Sequence, residues 1–291
     1  MRLKGIRLLL MMAVSLTSCL HMKAADPNFH IYLCLGQSNM EGNAKVEDVD
    51  RLNVPERFKM MAAVDFSSPA RTKGEWYVAQ PPLVREYTGL TPMDYFGRSM
   101  VENLPDEVRV GVVAVAIGGC KIEHLDKDYD SATVVNEAEW FRNFMSCYDN
   151  APYARLLECA RLAQRDGVIK GILLHQGESN NGDRDWCSKV KKIYDDLLSD
   201  LGLEPGSIPI IAGEVVSSEQ GGVCGPMNEI INTLPSTLPS ARVVSSEGLT
   251  QRGDGLHFTA ESYRTLGQRY AEAMLGALGE TERNNVMTAQ K

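Results

Sequence analysis

Residues 30–41 read HIYLCLGQSNME, and the way this stretch is read settles the fold. HIYLCL, over 30–35, has the apolar character of a strand. Gly36 permits a tight exit from it, which leaves Ser38 at the strand's end between Gln37 and Asn39. Gly, Ser and Asn also favour ordinary turns and N-caps. The serine alone therefore admits two readings, a turn residue or a nucleophile, and the rest of the chain has to choose.

Four more runs have strand character: VRVGVVAVAI at 108–117, VIKGILLH at 168–175, IPIIAGEV at 208–215 and ARVVSS at 241–246. Most are continuously apolar rather than alternating, as befits parallel strands covered on both faces. Helical periodicity lies between them. Tyr153, Leu156, Leu157 and Ala160 share one face, as do Trp186, Val190, Ile193, Tyr194, Leu197, Leu198 and Leu201. A last helix is expected through Tyr263, Leu266, Tyr270, Met274 and Ala277, with Thr259 as its N-cap. Strands alternating with helices predict an α/β fold, a three-layer α/β/α sandwich around a five-stranded parallel sheet. Residues 44–91 break the rhythm with four prolines and few periodic stretches, and read as an irregular insertion over the sheet's edge. One domain is expected over 26–280, followed by a tail at 281–291.

The formal charge of −8 over 291 residues argues against a nucleic-acid partner, which calls for a basic footprint. Residues 1–25 read as a secretory signal: Arg2, Lys4 and Arg7, then LLLMMAVSLTS, too short to span a bilayer comfortably. Leu16-Thr17-Ser18-Cys19 resembles the lipobox of bacterial lipoproteins, where the cysteine is acylated after cleavage. Cys19 is thus the expected lipidation site of a periplasmic or outer-membrane lipoprotein, with membrane contact through that anchor alone. The alternative is a soluble secreted protein cut near Ala24 or Ala25. Loss of residues 1–18 removes three positive charges and takes the net from −8 to −11. The other six cysteines show neither a disulfide framework nor zinc spacing, and Cys34 and Cys159 read as buried thiols.

In open parallel sheets, ligands bind at the carboxyl ends of the strands. Ser38 follows the first strand, Gly118-Gly119 the second, and HQGES (175–179) the third. RGDGLH (252–257) follows the fifth and precedes the last helix. These four segments together offer acyl transfer. A serine needs a base, and His257 is the candidate, with Asp254 placed to hold its far ring nitrogen. An oxyanion hole would draw on the N–H groups of Ser38 and Gly119 and on the amide of Gln176. Each has a plainer reading: an Asx-turn at Asp254, a surface histidine at 257, a tight turn at Gly118-Gly119, and a loop tether in Gln176. No cofactor or metal is expected. A metal-dependent hydrolase built on His175, Glu178, Asp254 and His257 lacks H-E-x-x-H or similar spacing. An α/β-hydrolase elbow, G-x-S-x-G, fails because Met40 holds the fifth position.

The blocks GQSNM, AIGGCKIEHL, HQGESN and DGLHFT resemble, in order, those of the SGNH hydrolase superfamily, whose fold is flavodoxin-like. They look most like its sialate O-acetylesterase and acetylxylan esterase branch, carbohydrate esterase family six, across residues 31 to about 270. The resemblance implies Ser38 as nucleophile, Asp254 and His257 as its partners, and Ser38, Gly119 and Gln176 as the oxyanion hole. Gln176 stands where other SGNH branches carry asparagine. Glu178 is implied near the site, either assisting His257 or holding loop backbone. Cys120 departs from the small hydroxyl residue common there, and His124 reads as a solvated or substrate-rim residue rather than part of a Cys-His pair. The implied substrate is an O-acetylated carbohydrate, with acetylated xylan and O-acetylated sialic acid both open. Trp76, Tyr77 and Trp140 are either sugar platforms or packing residues.

Overall fold

In the computed structural model, which describes residues 24–289, the chain forms strands β1 (Phe29–Gly36), β2 (Phe58–Met61), β3 (Phe66–Ser67), β4 (Ala70–Arg71), β5 (Trp76–Val78), β6 (Arg109–Ala116), β7 (Val168–His175), β8 (Ile210–Gly213) and β9 (Ala241–Val244). β3 and β4 pair only with each other. The rest make one sheet in the order β5-β2-β6-β1-β7-β8-β9. The five apolar runs are β1 and β6 to β9, and they pair in parallel.

The sheet has seven strands rather than five, because the segment expected as an irregular insertion adds two at one edge. β2 pairs in parallel with β6, and β5 closes the edge antiparallel to β2. They are four and three residues long, too short for a period to be read from sequence. What identifies them as strands is the neighbour they find.

The helices are α1 (Ser38–Glu41), α2 (Asp48–Arg51), α3 (Pro92–Asn103), α4 (Glu139–Ser146), α5 (Pro152–Ala163), α6 (Trp186–Asp200), α7 (Met227–Ile231), α8 (Leu234–Thr237) and α9 (Ala260–Ala289). α5, α6 and α9 carry the anticipated periodic faces, and Thr259 caps α9 by accepting the Ser262 N–H at 3.2 Å. α9 continues through residues expected as a tail. α3 was not anticipated. Thr91 and Asp94 form its capping box, with Pro92 in the first turn, and it lies against α9. Contact is close at Gly267, where a Cβ would stand 2.3 Å from the Pro92 carbonyl oxygen.

Alternate strand residues serve the two helical layers. Leu35, Ile172 and Ile210 face Val190, Ile193 and Leu197 of α6. On the other face Tyr32 meets Phe96 of α3 edge-on, 5.0 Å between ring centres, and Tyr270 of α9 donates to the Leu174 carbonyl at 2.7 Å. β1 runs down the middle with β6 and β7 on either side. Gly36 stands level with Ala116 and His175, so the loops leaving these three strands emerge together. Only glycine fits there, since a Cβ on residue 36 would sit 2.1 Å from the His175 carbonyl oxygen.

Candidate active site

Ser38 opens α1 directly beyond β1. Its Oγ lies 2.9 Å from His257 Nε2, and His257 Nδ1 lies 2.7 Å from Asp254 Oδ2. The structure thus brings the three triad candidates into one hydrogen-bonded chain. Asp254 is an Asx-turn residue as well, since its Oδ1 accepts the N–H groups of Leu256 and His257 at 2.9 and 2.8 Å. One carboxylate shapes the loop with one oxygen and holds the imidazole with the other. Burial pushes this carboxyl upward, but hydrogen bonds from the His257 ring and N–H, and from Arg252, outweigh it and hold it well below the usual carboxylate range.

Two residues that fasten this loop carried no sequence signal beyond lying inside the quoted motifs. Arg252 Nε donates to Asp254 Oδ2 at 2.8 Å, and its Nη1 reaches the Asn43 carbonyl at 2.6 Å. Asn39 is fully buried; it donates to the Leu256 carbonyl at 2.9 Å and accepts from the Tyr263 hydroxyl at 2.6 Å. The residue after the serine therefore ties α1 to the histidine loop and to α9. Asn39 also donates to Glu178 Oε1. Glu178 borders the cleft, its Oε2 has no partner among the described residues, and its hydrogen bond is to Asn39 rather than to His257. Burial pushes its carboxyl up to about 7, against the opposing pull of its own N–H and the Asn39 amide.

The N–H groups of Ser38 and Gly119 border the cleft, and neither donates to another group among the described residues. Gly119 adopts φ +75°, and a Cβ on it would stand 2.6 Å from the Trp140 ring. Gln176 is placed elsewhere. It is buried, its amide donates to Asn180 Oδ1, Gln37 Oε1 and the Cys120 carbonyl, and its Oε1 accepts from Trp186 Nε1. Both its N–H bonds are spent on tying loops together, so the expected third oxyanion donor is a tether.

His124 is buried, not solvated: its Nδ1 accepts the Lys121 N–H at 2.9 Å and its ring packs on Tyr129 and Phe141. Burial is also what pushes its imidazole below the usual range. Cys120 points instead to the Gly36 carbonyl, and burial raises its thiol. His175, offered for a metal set, lies against the Tyr270 hydroxyl, and its burial drives the imidazole down to about 3. That leaves Asp254 and His257 engaged with each other. Among the described residues, the carboxylates grouped tightly enough to hold a cation are Asp126, Asp128 and Asp196, and the Lys192 ammonium lies within 2.9 Å of all three.

The serine lies in a cleft of about 900 Å³. One wall is Trp140 and Phe144 of α4; another is the segment 85–88, from the former insertion, with Arg85 ion-paired to Glu41. Of the three flagged aromatics, only Trp140 borders the cleft, and it is 54% exposed. Trp76 packs on Phe29 and bonds Asp166, while Tyr77 accepts the Thr72 N–H and lies against Arg71.

A serine, a histidine and an aspartate in one hydrogen-bond chain, beyond the carboxyl ends of a largely parallel sheet, are the parts that a serine ester hydrolase uses. The chain belongs to the SASA family, described as carbohydrate esterase, sialic acid-specific acetylesterase, whose model matches residues 28–276. Solved structures with the same fold include a protein from Arabidopsis thaliana (23% identity, TM-score 0.63, covering 86% of this chain and 99% of that one). NanS is similar at 16% identity and TM-score 0.62, over 87% of this chain and 99% of its own. A carbohydrate acetylesterase from Xanthomonas citri matches at 18% identity and TM-score 0.58; 83% of this chain aligns with it, spanning 54% of that longer one. At such identities the likeness is one of fold.

Proposed function

We propose that this carbohydrate esterase removes O-acetyl groups from sugar hydroxyls with Ser38 as nucleophile. His257 Nε2 takes the Ser38 proton as Oγ attacks the acetyl carbonyl carbon. The negative charge that develops on the carbonyl oxygen is accepted by the N–H groups of Ser38 and Gly119. Collapse breaks the bond to the sugar oxygen, which leaves with the proton from His257. Water, deprotonated by His257, then attacks the acetyl carbonyl carbon; the bond to Ser38 Oγ breaks, Oγ takes the proton back from His257, and acetate is released. Asp254 keeps Nδ1 protonated, so that Nε2 presents its lone pair to serine, and stabilises the imidazolium formed at each step. The observation that carries this reading is the continuous hydrogen-bond chain Asp254–His257–Ser38, whose serine and histidine line the cleft.

Ser38→Ala and His257→Ala should each lower kcat toward p-nitrophenyl acetate by roughly 10⁴-fold or more, with the double variant little worse than either, because residues acting as a unit are non-additive. Additive losses, or a modest loss in Ser38→Ala, would remove the serine mechanism.

The N-terminal sequence supports export as a lipoprotein anchored through Cys19, which lies outside the described residues. Among those that are described, no helix is long and apolar enough to cross a membrane.

A further inference from the structure

The cleft carries a charge imbalance that the hydrolytic chain does not use. Glu41, Asp65, Glu86 and Glu178 border it, against Arg85, the only lysine or arginine among its described lining residues. Arg85 is not available to a ligand. Its guanidinium pairs with Glu41 and lies over the Phe144 ring at 4.5 Å. Glu41 is 5% exposed, so drawing the guanidinium away would strand a buried carboxylate, a large penalty.

Asp65 and Glu86 have no such compensation. Asp65 accepts the Lys73 N–H and Glu86 the Ser67 N–H, both at 2.8 Å. These dipoles orient the carboxylates without cancelling their charge, and neither residue makes an ion pair among the described residues. Two cations close by are committed elsewhere: the Lys73 ammonium bonds Glu158, and Arg252 is held by Asp254 and the Asn43 carbonyl. The charge is also fixed in place. The segment bearing Glu86 is pinned to the nucleophile's segment by Gly89 N–H to the Gly42 carbonyl at 2.8 Å and Leu90 N–H to the Ala44 carbonyl at 2.7 Å. The walls of the cleft carry two exposed aromatic side chains, Trp140 and Tyr87, the latter 93% exposed.

We propose, resting on the esterase reading above, that Asp65 and Glu86 make the cleft selective for acetylated neutral sugars. A pyranose without charge lies against Trp140 and Tyr87, whereas a sugar carrying a carboxylate, as sialic acid does, is repelled and meets no unpaired lysine or arginine among the described residues that line the cleft.

The test compares kcat/KM for acetylated xylo-oligosaccharide and for O-acetylated sialic acid, with p-nitrophenyl acetate as reference. Salt is set at about 10 mM and then near 1 M, which shortens the screening length from about 30 Å to about 3 Å. At low salt the neutral ester should be preferred by about tenfold or more, and the preference should shrink at high salt as repulsion is screened. The double variant Asp65→Asn, Glu86→Gln should raise the rate on the sialic acid ester at low salt and flatten its salt dependence. Preference for the sialic acid ester at low salt would overturn the proposal. So would a neutral preference that neither salt nor the double variant changes. Should the double variant fold poorly by melting, the salt series on the native enzyme decides alone. Hydrolysis of p-nitrophenyl acetate keeps the esterase reading standing in each of these cases; its absence would remove that reading and the proposal with it.

Discussion

Gln176 shows how a residue's type and its task separate. An amide after the third central strand is a fair oxyanion donor on paper, yet it folds inward and ties Asn180, Gln37, Cys120 and Trp186 together. Gln176→Ala would leave the buried Trp186 indole N–H without an acceptor, at a cost of about 1–3 kcal/mol. The variant should melt earlier and need less denaturant, while kcat falls less than the ~10²-fold loss that removing an oxyanion donor brings. A hundredfold loss of kcat at unchanged stability would return the amide to the oxyanion. Glu178 gives a test by pH. Burial pushes its carboxyl up to about 7 in the folded protein, against about 4.3 in an unfolded chain, so the folded state holds this proton more tightly. Its contribution to stability is therefore fully present below the unfolded value and is lost as pH rises through about 7. Glu178→Gln should lose less stability between pH 5 and 8 than the native protein, read from denaturant midpoints. Asp94 shifts the same way, also to about 7 through burial, but it is present in both proteins and drops out of the comparison.

At the scale of elements, α9 and α3 meet so closely that one glycine decides their separation. A Cβ at Gly267 would lie 2.3 Å from the Pro92 carbonyl oxygen and 2.8 Å from the Phe96 nitrogen, backbone atoms that cannot turn aside. Gly267→Ala should therefore cost roughly 1–3 kcal/mol, the usual range for overpacking. Gly276, further along the same helix, has nothing within 4 Å of its Cβ position. Gly276→Ala should stabilise by up to about 1 kcal/mol through helix propensity alone. Opposite signs from the same substitution on one helix would show that contact, not propensity, rules at 267; equal signs would contradict the close packing. α3, β2 and β5 were the elements least legible in the sequence. The strands are too short to show a period, and the stability of α3 comes from a cap and from α9, more than 150 residues further along the chain.

For the whole molecule, the proposed lipid anchor at Cys19 would give the spacing to the first strand a consequence, the reach of the enzyme from the membrane. Nine residues separate Cys19 from Phe29, the start of β1, and the ten steps between them span roughly 35 Å at most when fully extended. Cys19→Ser should release the enzyme from the membrane fraction with kcat/KM unchanged, because the residue precedes every element of the fold. Membrane association that survives the change would dismiss the lipid anchor. By itself the sequence determined five of the sheet's seven strands, since burial on both faces demands continuous apolar runs. It also determined the grouping of Ser38, Asp254 and His257, because parallel strands deliver their carboxyl-end loops to one place and the D-x-x-H turn is built from local hydrogen bonds. The tertiary structure alone decided what stands opposite each side chain. It turned Gln176 inward and buried His124; it joined Asn39 to Tyr263 across 224 residues. It also made an apparent insertion into a wall carrying Asp65, Glu86 and Tyr87 beside the serine. The physical reason is that a side chain's residue type sets which interactions it can make, while the groups brought near it by distant segments set which of them it does make.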